Sequence, residues 1–181
     1  MSPRRSAIHA GVRGSQSFLS MSAKKVSGAL LTQPIHLVAF GFGAGLVPKA
    51  PGTAGTLIAV LPAWLLAPWP LQTKAALVAV LFILGVWICG ESARRLQSHD
   101  HPAIVWDEIV GFLATCLVLP SDPLWMLVAF VLFRFFDIAK PWPICDLDHR
   151  LRGGIGIMLD DIAAAAFAAA CLLLARSIPI P

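Results

Sequence analysis

Ile104-Val105-Trp106-Asp107-Glu108-Ile109-Val110-Gly111 sets two adjacent carboxylates inside an otherwise apolar run, at the mouth of a hydrophobic segment. An ionised carboxylate left against hydrocarbon is costly unless cations or hydrogen bonds compensate it, so an acidic pair at a membrane edge marks a site. Compensation is available elsewhere in the chain. Arg134, Asp137 and Lys140 close one apolar segment, and Asp160 and Asp161 precede another.

Composition sets the class in which this stretch is read. Of 181 residues, 57% are hydrophobic and 13% charged, against roughly 45–50% and about 25% in soluble domains. This is the composition of an integral membrane protein, in a single domain. The net charge of +4 comes without a basic helix interleaved with stacking aromatics, so nucleic acid is excluded as a partner. Anionic lipid or an anionic substrate is the expected partner of the basic residues. Cys89, Cys116, Cys145 and Cys171 form no C-x-x-C pair and read as small core residues, neither a zinc site nor a disulfide framework.

Upstream, residues 1–32 carry Arg4, Arg5, Arg13, Lys24 and Lys25 without a sustained apolar period, and read as a disordered basic tail. No apolar core follows Arg4-Arg5 closely enough for a twin-arginine export signal. Residues 33–181 then form the single helical domain. Gly41 to Thr56 holds five glycines and two prolines, which argues against a regular helix through most of it. Its glycines let backbone amides approach a phosphate or a neighbouring helix, Lys49 adds charge, and Thr53 and Thr56 add hydroxyls. Thr56 is also placed to cap the next helix.

Leu57 to Leu71 and Ala75 to Gly90 read as an antiparallel helical pair joined near Trp69 to Lys74. Each apolar core is about 15 residues, short of the roughly 20 of a full membrane span. Ile109 to Leu119 and Leu124 to Phe133 read as a second hairpin about the turn Pro120-Ser121-Asp122-Pro123. A hairpin returns its ends to one side, so Asp107 and Glu108 share a face with Arg134, Asp137 and Lys140. Those last three recur at i, i+3, i+6 and share a stripe if the helix reaches Lys140, after which Pro141 and Pro143 stop it. Gly153, Gly154 and Gly156 lead to Asp160 and Asp161, which open a last helix from Ile162 to Ala175. The fold expected is all-α: a multihelical membrane bundle of about four short transmembrane helices in two hairpin-like pairs, with an interfacial N-terminal segment. His36 and His99 read as interfacial or loop residues, since the dipeptide His99-Asp100 is too short a match to the HD phosphohydrolases to carry a metal site.

With the basic tail in the cytoplasm, this arrangement puts every lysine and arginine except Lys74 and Arg176 on the cytoplasmic side, in accord with the positive-inside rule. Every acid except Asp122 falls there too. Carboxylates from separate helix ends, without convincing Cys or His ligands, suit a hard oxygen-seeking cation, Mg2+ first. A divalent ion beside arginine and lysine suits a phosphate. Neighbouring helix residues point about 100° apart, so not every member of Asp107/Glu108 and Asp160/Asp161 is expected as a direct ligand.

Four ordered blocks carry a family resemblance: Gly41-Phe42-Gly43 through Ala50-Pro51-Gly52-Thr53-Ala54-Gly55-Thr56, Ile104 to Gly111, Phe133-Arg134-Phe135-Phe136-Asp137-Ile138-Ala139-Lys140-Pro141-Trp142-Pro143-Ile144, and Gly153-Gly154-Ile155-Gly156-Ile157-Met158-Leu159-Asp160-Asp161. Over roughly Pro34 to Ala166 the chain resembles the phosphatidylglycerophosphatase A family of bacterial inner-membrane lipid phosphatases. The resemblance implies Mg2+-dependent hydrolysis of phosphatidylglycerophosphate to phosphatidylglycerol and inorganic phosphate, at a site facing the cytoplasm. Ala163 to Ala166 depart from a glycine often found after the double aspartate.

On that footing Asp107, Glu108, Asp137, Asp160 and Asp161 are expected to hold one or two magnesium ions and to position water. Arg134 and Lys140 are expected to grip the phosphomonoester, and Lys49, Gly52 and Thr53 to meet the headgroup. An aspartyl-phosphate route stays open, as does the oligomeric state. The rival reading is a small ion or solute transporter with a carboxylate-lined site, which predicts acids spread through the bilayer depth.

Overall fold

The computed structural model describes residues 28–98, 101–119, 122–142, 151 and 153–177. The His99-Asp100 dipeptide, Pro120, Ser121, Pro143, Ile144, Cys145, Arg150 and Arg152 lie outside these residues, as does 1–27 of the basic N-terminal stretch. Gly28–Thr32 forms a 3-10 turn whose Leu30 and Leu31 rest against the core. Six α-helices follow among the described residues: α1 (Pro34–Ala39), α2 (Pro51–Leu66), α3 (Leu71–Leu96), α4 (Trp106–Thr115), α5 (Pro123–Ala139) and α6 (Gly153–Ser177). The all-α expectation holds.

The shortest of the later helices, α4, is the centre. Asp107, Ile109, Val110, Gly111, Phe112, Leu113 and Thr115 are all buried within its ten residues, enclosed by α2, α3, α5 and α6. Phe112 packs on Phe130 and Phe133 of α5 with ring centroids 6.0 and 6.1 Å apart. Helix α6 also touches α3 and α5, so α4 and α6 form the inner pair. Both carry acids.

Two helices exceed the expected length. The 26 residues of α3 and 25 of α6 have mean hydropathy 2.1 in their most apolar windows, and at 1.5 Å per residue each spans more than the roughly 30 Å hydrocarbon core. Outward-facing Leu57, Leu61, Ile83, Trp87, Leu127 and Val131 make the outer surface apolar, which a soluble monomer rarely sustains over large patches. The chain is membrane-associated by these features.

The glycines account for both main departures from the sequence reading. Helix α6 begins at Gly153, so Asp160 and Asp161 stand in its third turn and do not open it. A Cβ on Gly154 would overlap the Val86 carbonyl and meet Gly90 N at 2.8 Å. Gly154 thus serves close approach of α6 to α3, and packing outweighs the ~1 kcal/mol of lost helix propensity. Likewise α2 starts at Pro51, a residue preorganised for a first helical position, and takes in Gly52 to Thr56. Thr56 does not cap that helix; it sits within it and donates its hydroxyl to the Gly52 carbonyl at 2.9 Å.

Candidate active site

The segment before α4 is pinned on three sides. Val105 N–H donates to the Ala39 carbonyl at 2.9 Å and Ile104 N–H to that of His101 at 2.8 Å. The Trp106 indole N–H donates to the Leu81 carbonyl at 3.3 Å. Gly45 lies so close to the Ala103 carbonyl, and Gly55 to Val105, that neither has room for a Cβ. Much of the glycine-rich stretch therefore grips residues 103–105, and this fixes where the first turn of α4 points its acids.

Asp107 and Glu108 occupy that turn, where negative charge is favoured by the helix dipole. Asp161 reaches them from α6: one carboxylate oxygen from each of the three lies within 4.8 Å of the others. Gly111, one turn beyond Asp107, makes this approach possible, because a Cβ there would stand 3.1 Å from the Asp161 Cβ and 2.9 Å from the Phe133 ring. Asp107 Oδ1, Glu108 Oε2 and Asp161 Oδ2 are each buried without a hydrogen-bond partner. Two unit charges at such separations repel by roughly 3–4 kcal/mol at an effective dielectric of 20. Three orphaned carboxylate oxygens from two helices, all hard donors, fit a divalent cation of the Mg2+ type.

Cations line one side. Arg134 of α5 pairs closely with Asp137 one turn on and lies 3.9 Å from Glu108 Oε1, with its Nε buried and unpartnered. Gly52, in the first turn of α2, abuts both: a Cβ there would overlap Glu108 Oε1 and approach Arg134 Nη1 to 3.1 Å. Lys140 leaves the expected stripe, because α5 ends at Ala139 and Lys140 adopts a left-handed conformation, φ 39°. Its Nζ donates to Asp160 Oδ2 at 2.5 Å.

Of the five acids expected as metal ligands, the structure thus brings Asp107, Glu108 and Asp161 together, and engages Asp137 with Arg134 and Asp160 with Lys140. Gly52 abuts this group and Thr53 follows it, half-buried, in the first turn of α2, whereas Lys49 is exposed in the preceding loop. Gly111 was not singled out from the sequence; its signal is the i, i+4 spacing from Asp107. His36 departs from the interfacial expectation: it is 1% exposed, stacks on Phe40 and shares a 2.9 Å hydrogen bond with Ser92 Oγ. Burial and the nearby Arg95 hold its imidazole below the ordinary value of 6.5. This contact ties α1 to α3, and α1 supplies the carbonyl that anchors Val105.

Fold and site define a helical, membrane-associated protein with a buried tricarboxylate centre flanked by arginine. A family model described as phosphatidylglycerophosphatase A matches residues 37–176. The chain is 42% identical over 146 residues to the phosphatidylglycerophosphatase A of Escherichia coli (strain K12), covering 78% of this chain and 83% of that protein. It is 45% identical over 150 residues to the protein of the same name from Haemophilus influenzae, covering 80% and 88%. A Bacteroides thetaiotaomicron protein, provisionally named a phosphatidylinositol-3-phosphatase, is 36% identical over 151 residues, covering 77% and 92%. No solved structure matches significantly. The chain belongs to the phosphatidylglycerophosphatase A family.

Proposed function

We propose that this chain is a Mg2+-dependent lipid phosphatase that hydrolyses phosphatidylglycerophosphate to phosphatidylglycerol and inorganic phosphate, at the cytoplasmic face of a bacterial inner membrane. The observation that carries the site assignment is the set of three buried, unpartnered carboxylate oxygens of Asp107, Glu108 and Asp161 beside Arg134. These three residues would hold the metal, which when bound supplies Lewis-acid polarisation of a phosphoryl oxygen and a water of lowered pKa.

The chain's own groups do the rest. Arg134, held by Asp137, turns a charge-matched fork toward the phosphomonoester. The Gly52 and Thr53 amides belong to the first turn of α2, whose N–H groups lack intrahelical acceptors and favour an anion, and the missing side chain at Gly52 leaves room for the Glu108 carboxylate and Arg134 beside them. Helices α2, α3, α5 and α6 would cross the bilayer around α4, with their outer apolar faces against lipid. In that arrangement Lys49, Arg94, Arg95, Arg134 and Lys140 fall at one membrane face and, among the described residues, only Lys74 and Arg176 at the other, which supports a cytoplasmic site.

The test is phosphate release from phosphatidylglycerophosphate by purified protein in detergent, with and without Mg2+, alongside phosphatidylinositol 3-phosphate. Metal-dependent release from the first lipid supports the assignment. Preference for the inositide moves the chain toward its Bacteroides relative, and no release from folded protein overturns the phosphatase reading.

A further inference from the structure

We propose that Lys140 and Asp160 form a positioning pair that holds the Asp161 carboxylate in the metal cluster, with neither side chain binding the metal or the phosphate. The inference rests on the reading of Asp107, Glu108 and Asp161 as the metal site. Both Asp160 oxygens have protein partners: Oδ2 accepts from Lys140 Nζ at 2.5 Å, and Oδ1 accepts from the Asp161 backbone N–H at 3.0 Å. The three cluster acids, by contrast, each keep a buried oxygen without one. Successive helix residues point about 100° apart, so Asp160 can face the end of α5 while Asp161 faces α4.

The pair also answers a mechanical need. From Ala163 to Ala170 the only residue of α6 that is not alanine is Phe167, so this part of the helix offers little side-chain relief to resist sliding or rotation. Polar contacts stand near both ends: Lys140 to Asp160, and Arg176 Nη1 to the Val118 carbonyl at 2.8 Å. At Gly111 there is no spare room for α6 to take another register. Lys140 reaches Asp160 from a left-handed backbone, φ 39° and ψ 57°, that a non-glycine residue adopts only against a steric penalty. That conformation ends α5, as Gln97 at φ 54° ends α3.

Mn2+ binding to the full chain in detergent, read by electron paramagnetic resonance without lipid, tests the pair independently of which lipid is the substrate. Outer partners of metal ligands typically change metal affinity about 10–100-fold. Lys140→Met and Asp160→Asn are each expected to weaken Mn2+ binding within that range, and their double variant to be no worse than Lys140→Met. Lys140→Arg should bind nearly as the unaltered chain does, and Asp161→Asn should not bind. Loss with Asp160→Asn as complete as with Asp161→Asn would make Asp160 a ligand and overturn the proposal. Unchanged Mn2+ binding in Lys140→Met with a raised KM would make Lys140 a phosphate contact and overturn it equally. Lys140→Arg, which keeps the charge, separates loss of the pair from loss of the fold: failure of the folded arginine variant to bind also counts against the pair.

Discussion

Gly111→Ala adds one methyl group where α4, α5 and α6 meet. The new carbon would stand 2.9 Å from the Phe133 ring and 3.1 Å from the Asp161 Cβ, whereas carbon atoms in good contact are about 3.5–4.0 Å apart. The shortfall is roughly half an ångström on two sides, and Phe133 is fully buried with little space to yield. Overpacking of this kind costs about 1–3 kcal/mol, and the better helix propensity of alanine returns about 1 kcal/mol. Stability should therefore fall by no more than about 2 kcal/mol, while the displacement acts directly on the distance between Asp161 and Asp107. We expect thermal unfolding only slightly below that of the unaltered protein, but Mn2+ affinity and Mg2+-dependent phosphate release each reduced about tenfold or more. Unaltered metal affinity in a folded Gly111→Ala protein would refute the argument that this glycine sets the acid spacing.

Asp107→Asn should leave membrane insertion and helix content intact while phosphate release falls by about a hundredfold or more; an active variant removes Asp107 from the catalytic set. Chelation should lower the unfolding temperature and Mg2+ restore it, since a ligand at a hundred times its Kd stabilises by about 2.7 kcal/mol; a transition indifferent to metal would count against a bound ion in the folded state. His36 lies below its ordinary value of 6.5 when folded, so the unfolded chain takes up its proton first and stability drops as pH falls below that value. Unfolding temperatures from pH 8 to 5 should show this loss, and His36→Gln should flatten it; an equal slope in both proteins would place the titration elsewhere.

The parts of the site visible in the sequence are those that depend on chain direction. A hairpin must return its ends together, so the convergence of Asp107 and Glu108 with Arg134 and Asp137 could be read from two apolar runs and a turn. What depends on inter-helix distance could not. Glycine has the same letter whether it breaks a helix or lets one helix lie against another, and Gly154 and Gly52 do the second. Reading them as loops put Asp160 and Asp161 at a helix start, two turns from their true place in α6. The His36 to Ser92 bond was equally hidden, because nothing local to Pro34-Ile35-His36 specifies a partner 56 residues away.

That place in α6 has a consequence for what can disturb the centre. Asp161 is the ninth residue of a helix that starts at Gly153, which at 1.5 Å per residue puts roughly 12 Å of helix before it. In the first of those turns Gly154 lies against Val86 and Gly90 of α3. Because a helix moves as a stiff rod, a side chain placed at that distant seat would lever Asp161 away from Asp107 and Glu108 without touching any of the three.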